Sequence, residues 1–147
     1  MRLSVGRCDD LLRQAERATL ATVHPVRGVD AVPVCFSYDG ERIAVPVDRV
    51  KPKSGAPLQR VRNLDADRRA VLLCDHWDRH DWSRLWWVRI SLERVASPPD
   101  HSARLESLLE VKYHQYTGRP FAGLLVFGIT GMIGWAASAE AARKVGS

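Results

Sequence analysis

Apolar and polar residues alternate over much of this chain. Between Asp30 and Tyr38, Val32, Val34 and Phe36 fall on one side and Pro33, Cys35 and Ser37 on the other, which is the period of a strand. Asp39-Gly40 follows as a hairpin turn signal. Arg42 to Val47 then returns with Ile43, Val45 and Val47 on one face. Pro46 has no N–H to give to a ladder, so this strand should run along an edge or carry a bulge there. Thr19 to Val23, Ala70 to Asp75, Leu85 to Ala96 and Leu124 to Ile133 read as further strands. His24-Pro25, with Gly28 beyond it, ends the first of these, and Pro98-Pro99 breaks the Leu85 run. Asp75 to Ser83 is polar and aromatic and reads as a loop, and the C-terminal tail should fray.

Helical spacing appears in three places. Asp9 to Arg17 sets Leu11, Leu12 and Ala15 among charges, with Asp9 or Asp10 as the candidate cap. Pro57 to Asp65 repeats Leu58, Val61 and Leu64, and proline suits a first helical turn. Asp100 to Tyr113 gathers Leu105, Leu108, Leu109 and Lys112 on roughly one side. Strands close in sequence, joined by a hairpin and interrupted twice by helices, predict a mainly β chain: an antiparallel barrel decorated by helices. No repeat or long linker divides residues 1–147, which should form a single domain.

Composition narrows the setting. Hydrophobic residues make up 46% and charged residues 27%, the balance of a soluble globular chain. The net charge of +5 favours anionic partners: a phosphorylated cofactor, nucleic acid or an acidic membrane face. The basic residues are spread out, so a nucleic-acid-binding tail is not indicated. Cys8, Cys35 and Cys74 include no C-x-x-C pair, which argues for a reducing cytoplasm and against a disulfide or zinc scaffold. Cys35 and Cys74 sit in apolar runs and should be buried free thiols. Charges interrupt the first 18 residues, unlike a signal peptide, and glycines and polar residues interrupt Phe121 to Ala139, unlike a membrane span.

The candidate chemistry lies in two blocks. Lys51-Pro52-Lys53 sits at a strand-to-helix turn, where two ammonium groups and the amides of a helix start can hold a phosphate; solvated surface charge is the alternative. Arg60 and Arg62 lie in the helix that follows. Trp77, Trp82, Trp86 and Trp87 form a dense aromatic block. Trp86 and Trp87, adjacent in a strand, must face opposite sides: one lines the core and the other covers an outer surface that a second subunit would bury. Filling the core alone is the other reading. Arg84 and Arg89 flank the pair, and Asp75, Asp78 and Asp81 are at hand to ion-pair with Arg84. The His and Asp residues between Asp75 and Asp81 match no zinc spacing, so no metal is expected. There is no G-x-G-x-x-G, Walker loop or G-x-S-x-G elbow, and no catalytic acid, base or nucleophile stands out. An anion clamp beside aromatic walls suits an enzyme whose chemistry belongs to its cofactor.

Four stretches carry a family resemblance: Val47-Asp48-Arg49-Val50-Lys51-Pro52-Lys53, Arg62-Asn63-Leu64, Val71-Leu72-Leu73-Cys74-Asp75-His76, and Asp81-Trp82-Ser83-Arg84-Leu85-Trp86-Trp87-Val88-Arg89. Together they resemble the pyridoxamine 5′-phosphate oxidase-like proteins, in the branch of coenzyme F420 (deazaflavin) dependent oxidoreductases. The resemblance extends from about Ala18 to Trp135. It implies a split β-barrel homodimer of the FMN-binding type, with cofactor sites at the subunit interface. Carried over by position, the phosphate end falls at Lys51, Lys53 and Ser54, with Arg62 nearby. The ring falls along Pro33, Val34 and Cys35 and along Pro46 and Val47, with Trp87 or Trp86 closing the pocket from the partner. Pro46 and Gly55-Ala56-Pro57 depart from the more polar residues of the family. The function expected on this basis is hydride transfer between coenzyme F420 and a small organic substrate. An FMN-dependent oxidase or reductase and a non-enzymatic tetrapyrrole-binding protein are the rivals.

Overall fold

The computed structural model describes residues 1–48 and 58–143. A long hairpin joins β5 (Arg69–Asp78) to β6 (Asp81–Arg94). Along β6, Trp86, Val88, Ile90 and Leu92 are buried while Arg89, Ser91 and Glu93 are exposed. Period-two alternation sets one face against the core and the other against solvent. The remaining strands are β1 (Ala18–His24), β2 (Gly28–Val34), β3 (Ser37–Tyr38), β4 (Arg42–Asp48) and β7 (Phe121–Ala136). All seven join one antiparallel sheet in the order β2-β1-β5-β6-β7-β4-β3.

That order explains the closure. β2 and β3 lie at opposite ends of the sheet, yet only Cys35 and Phe36 separate them in sequence. The sheet must curl until its two edges nearly meet, and the two residues between them form a seam where the ladder is interrupted. The result is a split β-barrel with accessory helices. The single strand expected over Asp30–Tyr38 is therefore two strands. Its alternation misled because Phe36, fully buried, continues the apolar face across the break.

The seam takes its hydrogen bonds from a helix. α3 (Pro99–Lys112) buries Leu105 and Leu109 and leaves Leu108 exposed, a narrower stripe than its sequence suggested. At its C-terminal end, the Tyr113 hydroxyl accepts from the Phe36 N–H at 3.2 Å, and Lys112 Nζ donates to the Phe36 carbonyl at 3.0 Å. Both backbone groups that left the ladder are thereby satisfied.

α1 (Val5–Gln14) starts earlier than expected. Ser4 is its N-cap, accepting from Arg7 N, and the buried stripe begins at Cys8 and continues through Leu11 and Leu12. Asp9 and Asp10, the candidate caps, lie inside the helix, and Asp9 pairs with Arg13 and accepts from the Tyr38 hydroxyl. α2 (Gln59–Ala66) holds Leu64 and Asn63 inside, and Asn63 Nδ2 donates to both Thr22 Oγ1 and Asp30 Oδ2 at 2.9 Å. Pro57, the expected start of this helix, lies outside the described residues.

The stretch read as a loop, Asp75–Ser83, is the end of the β5–β6 hairpin, with its turn at Arg79-His80. Both faces are wet there, so no alternation marks it. Pro46 lies where β4 has an open edge: β3 pairs only with Ala44 and Ile43, and the ladder to β7 shifts register between Val47 and Asp48. The tail is packed as far as Ala141 and Ala142, both buried, and does not fray there.

α1 lies against β7 so closely that only glycine fits at Gly134. A Cβ there would meet Cys8 Sγ at 2.5 Å, Leu3 Cδ1 at 3.2 Å and the Trp87 carbonyl at 3.3 Å. Gly134→Ala should therefore lower stability by about 1–3 kcal/mol, the usual range for overpacking. Gly123→Ala in the same strand, where a Cβ meets nothing within 4 Å, should change it far less. Urea denaturation of the two variants measures the difference.

Candidate functional site

The seam opens onto a cleft with two adjoining chambers that share wall residues. The smaller, about 300 Å3, is lined by Pro33, Val34 and Cys35 from the end of β2, Val45 and Pro46 from β4, and Arg60 from α2. The larger, about 990 Å3, is lined by Glu16, Lys112, Tyr113, His114 and Tyr116, with Pro120 near the start of β7. Arg17, Cys35, Asp48 and Tyr116 belong to both walls. The chambers exist because β2 and β3 part at Cys35 and because β4 loses its β3 partner beyond Ala44.

Two groups here are chemically unusual. Arg60 Nε is buried and has no hydrogen-bond partner among the described residues. A buried donor left unpaired costs about 1–3 kcal/mol, which a ligand oxygen can recover. Lys112 is mostly enclosed, with Nζ 3.6 Å from the Phe36 ring centroid. Burial pulls its ammonium down to about 8, against smaller opposing effects of Cys74, Cys35 and Glu16. Burial also pushes the phenols of Tyr113 and Tyr116 well above the ordinary tyrosine range, so both stay protonated hydroxyls.

Of the residues that the sequence singled out, Pro33, Val34, Cys35 and Pro46 come together on the smaller chamber. Val47 does not share that wall; its side chain packs against the core. Arg62 is exposed and, among the described residues, reaches only Gln59, at 3.3 Å, while Arg60 takes the position on the wall. Lys51, Lys53 and Ser54 lie outside the described residues. Trp87 lines neither chamber of its own chain. It is half-buried on the outer sheet face beside Trp135, with Arg89 stacked on its ring at 5.6 Å, whereas Trp86 is buried in the core. Trp77 and Trp82, 57% and 71% exposed, stand on the hairpin and fill no core space. Arg84 ion-pairs with Asp78 at 3.9 Å. Lys112 was read only as part of a helix face. The signal that betrays it is a lysine aligned with Leu105 and Leu109, the stripe that faces inward. No helix among the described residues is long and apolar enough to cross a membrane.

No protein-family model and no curated protein matches the sequence. Solved structures do match the fold. A FAD-binding protein from Mesorhizobium loti superposes with a TM-score of 0.65 at 14% identity, over 91% of this chain and 93% of that one. An F420 reductase gives 0.60 at 19% identity, over 84% and 94%. The heme storage protein HutZ from Vibrio cholerae gives 0.63 at 13%, over 90% and 94%. The similarity to all three is one of fold, the split barrel.

The thiols test the geometry of the cleft. Cys8 and Cys74 are buried, and burial lifts Cys74 to about 12. Cys35 left the ladder at the seam and lines both chambers, so it is not the enclosed thiol that its apolar run suggested. An aromatic disulfide reagent should modify Cys35 in the native protein and reach Cys8 and Cys74 only after unfolding. Peptide mapping of the labelled protein identifies which thiol has reacted.

Proposed function

We propose that the chain is an oxidoreductase that binds a flavin-type cofactor in this cleft, coenzyme F420 in preference to FMN, and passes a hydride to or from a small organic substrate in the cytoplasm. The observation that carries the reading is Arg60 Nε, a buried donor with no partner among the described residues, on the wall made by Pro33, Val34, Cys35 and Pro46. Split barrels named as FAD-binding and as an F420 reductase share the fold. Arg17, Arg60 and the net charge of +5 favour the more anionic deazaflavin.

The residues present fit such a group. Arg60, with Lys51, Lys53 and Ser54, would hold its phosphate end. Pro33 and Pro46 have no N–H and offer a flat apolar wall, which leaves the amide of Cys35, beyond the end of β2, as a donor toward a ring edge. Val47 could contribute only backbone, since its side chain is in the core. When bound, the cofactor supplies the hydride chemistry; the protein's part is orientation and exclusion of water. The site residues include no catalytic acid or base assigned from the sequence, in keeping with that division.

Replacing Arg60 by Ala should weaken FMN and F420 binding by about 1.5–3 kcal/mol, the range for a charge-assisted hydrogen bond, while Arg62→Ala should change it little. The double change Lys51→Ala, Lys53→Ala should weaken it by roughly 2–4 kcal/mol, and added salt should act in the same direction. Fluorescence titration with each cofactor reads both effects. Equal binding by parent and Arg60→Ala removes the cofactor assignment.

The same reading includes a homodimer with cofactor sites at the interface. Its support is the outer sheet face, where Leu73 pairs across to Arg89, and Arg89 to Ile133. Leu73 and Ile133 are 36% and 38% exposed beside the Trp87–Trp135 pair, an apolar area that a second copy would cover. Trp87→Glu should dissociate the dimer and weaken cofactor binding together, as light scattering and titration would record. A parent protein that is monomeric and binds cofactor fully would overturn the shared site.

A second reading, tetrapyrrole binding without catalysis, is favoured by His114, which stands with Tyr113 and Tyr116 on the wall of the larger chamber and offers an axial ligand. A haem titration shows a Soret shift that is lost in His114→Ala if this reading holds, and no shift if it does not.

A further inference from the structure

The larger chamber carries more cationic donor capacity than the fold consumes. Lys112 Nζ gives one hydrogen bond, to the Phe36 carbonyl, and an ammonium has three N–H groups. Arg17, on the wall common to both chambers, has no side-chain partner among the described residues. The same walls present flat surfaces: Tyr113 and Tyr116 meet edge to face at 5.5 Å, and Pro120 lies beside them. Glu16 and Asp48 also reach this space, and Asp48 Oδ1 lies 3.5 Å from the Tyr116 hydroxyl. An anion entering the chamber is therefore directed away from the carboxylates and toward Lys112 and Arg17.

We propose that the larger chamber binds a planar aromatic anion, its negative group held by Lys112 and Arg17 and its ring against Tyr113, Tyr116 and Pro120. The inference rests on the cofactor reading only in making this anion the substrate class; the anion site itself stands on the chamber. A carboxylate suits it because both cations donate without accepting, and a neutral amide would leave one donor facing another. Among the described residues, four titratable groups face Lys112: Cys35 from the seam, Cys74 from β5, Glu16 from the segment before β1, and Tyr113 from the end of its own helix. Glu16 is the one carboxylate among them. With the Lys112 ammonium held at about 8 by burial, the anchor is charged below that pH and is lost as pH rises through it.

The test is a titration of the cofactor-free protein with 1-naphthoate and with 1-naphthamide, its neutral counterpart. The naphthoate should bind tighter by about tenfold or more, the worth of one charge-assisted contact. Lys112→Met should cut that preference to the part that Arg17 sustains by weakening the naphthoate alone, with a thermal melt showing that the variant is folded. In the wild type, which needs no substitution, naphthoate affinity should hold at neutral pH and fall by up to about tenfold per pH unit above about 8, toward the level that Arg17 sustains. Equal binding of the two probes, an unchanged Lys112→Met variant, or wild-type affinity that stays flat well past pH 8 would each overturn the proposal. FMN and F420 titrations on the same samples separate the two readings. Naphthoate binding without cofactor binding leaves the anion site and removes the oxidoreductase, and the reverse pattern removes the anion site alone.

Discussion

The structure depends on how Phe36 is held. A sheet whose order runs β2-β1-β5-β6-β7-β4-β3 must bring its first and last strands together, and the chain allows two residues to do it. Phe36 goes to the core, and its N–H and C=O leave the ladder. An unpaired buried peptide is expensive. Tyr113 and Lys112 satisfy both groups from the end of α3, so that helix is fixed against the barrel by the same contacts that close it.

The cleft follows from that closure. Where β2 stops and β3 pairs with only two residues of β4, backbone and side chains that would be covered in a complete barrel line a space instead. The residues that repair the break, Lys112 and Tyr113, necessarily reach that space too. An ammonium that caps a carbonyl with one N–H keeps two others, so the contact that supports the fold also leaves donor capacity at the chamber. The low ammonium value of Lys112 has the same origin: it is drawn inward to reach Phe36, and burial disfavours its charge.

The sequence made the barrel legible wherever one face of a strand is dry. The alternation of β6 and the Asp39-Gly40 turn needed only local chemistry, and the Trp86–Trp87 pair divides between core and outer face as adjacent strand residues must. The errors fall where local pattern and tertiary role part. Asp30–Tyr38 alternates without a fault yet contains the seam, because burial of Phe36 is set by closure of the sheet and not by strand pairing. Asp75–Ser83 shows no alternation because the hairpin projects beyond the core. Arg60 and Arg62 look alike in the sequence; only the helix phase, fixed by Leu64 and Asn63 packing inward, puts Arg60 on the chamber wall. Lys112 was placed on the leucine side of its helix, but the seam that it caps is set by closure of the sheet and leaves no local sign in the sequence.

Pro46 shows how a residue can be unfavourable to the sheet and suited to the site. In a central strand it would cost a ladder bond. At this position β4 has already lost β3, so the missing N–H has no strand partner to disappoint. Paired with Leu124 on its other side, the strand stays in place, and the bulge follows at Val47. The proline ring therefore borders the cleft without an unsatisfied donor behind it, as does Pro33 on the facing strand. Between these two apolar rings the described wall offers one buried unpaired donor, Arg60 Nε, so the unmet buried donor capacity of the smaller chamber is concentrated at one residue.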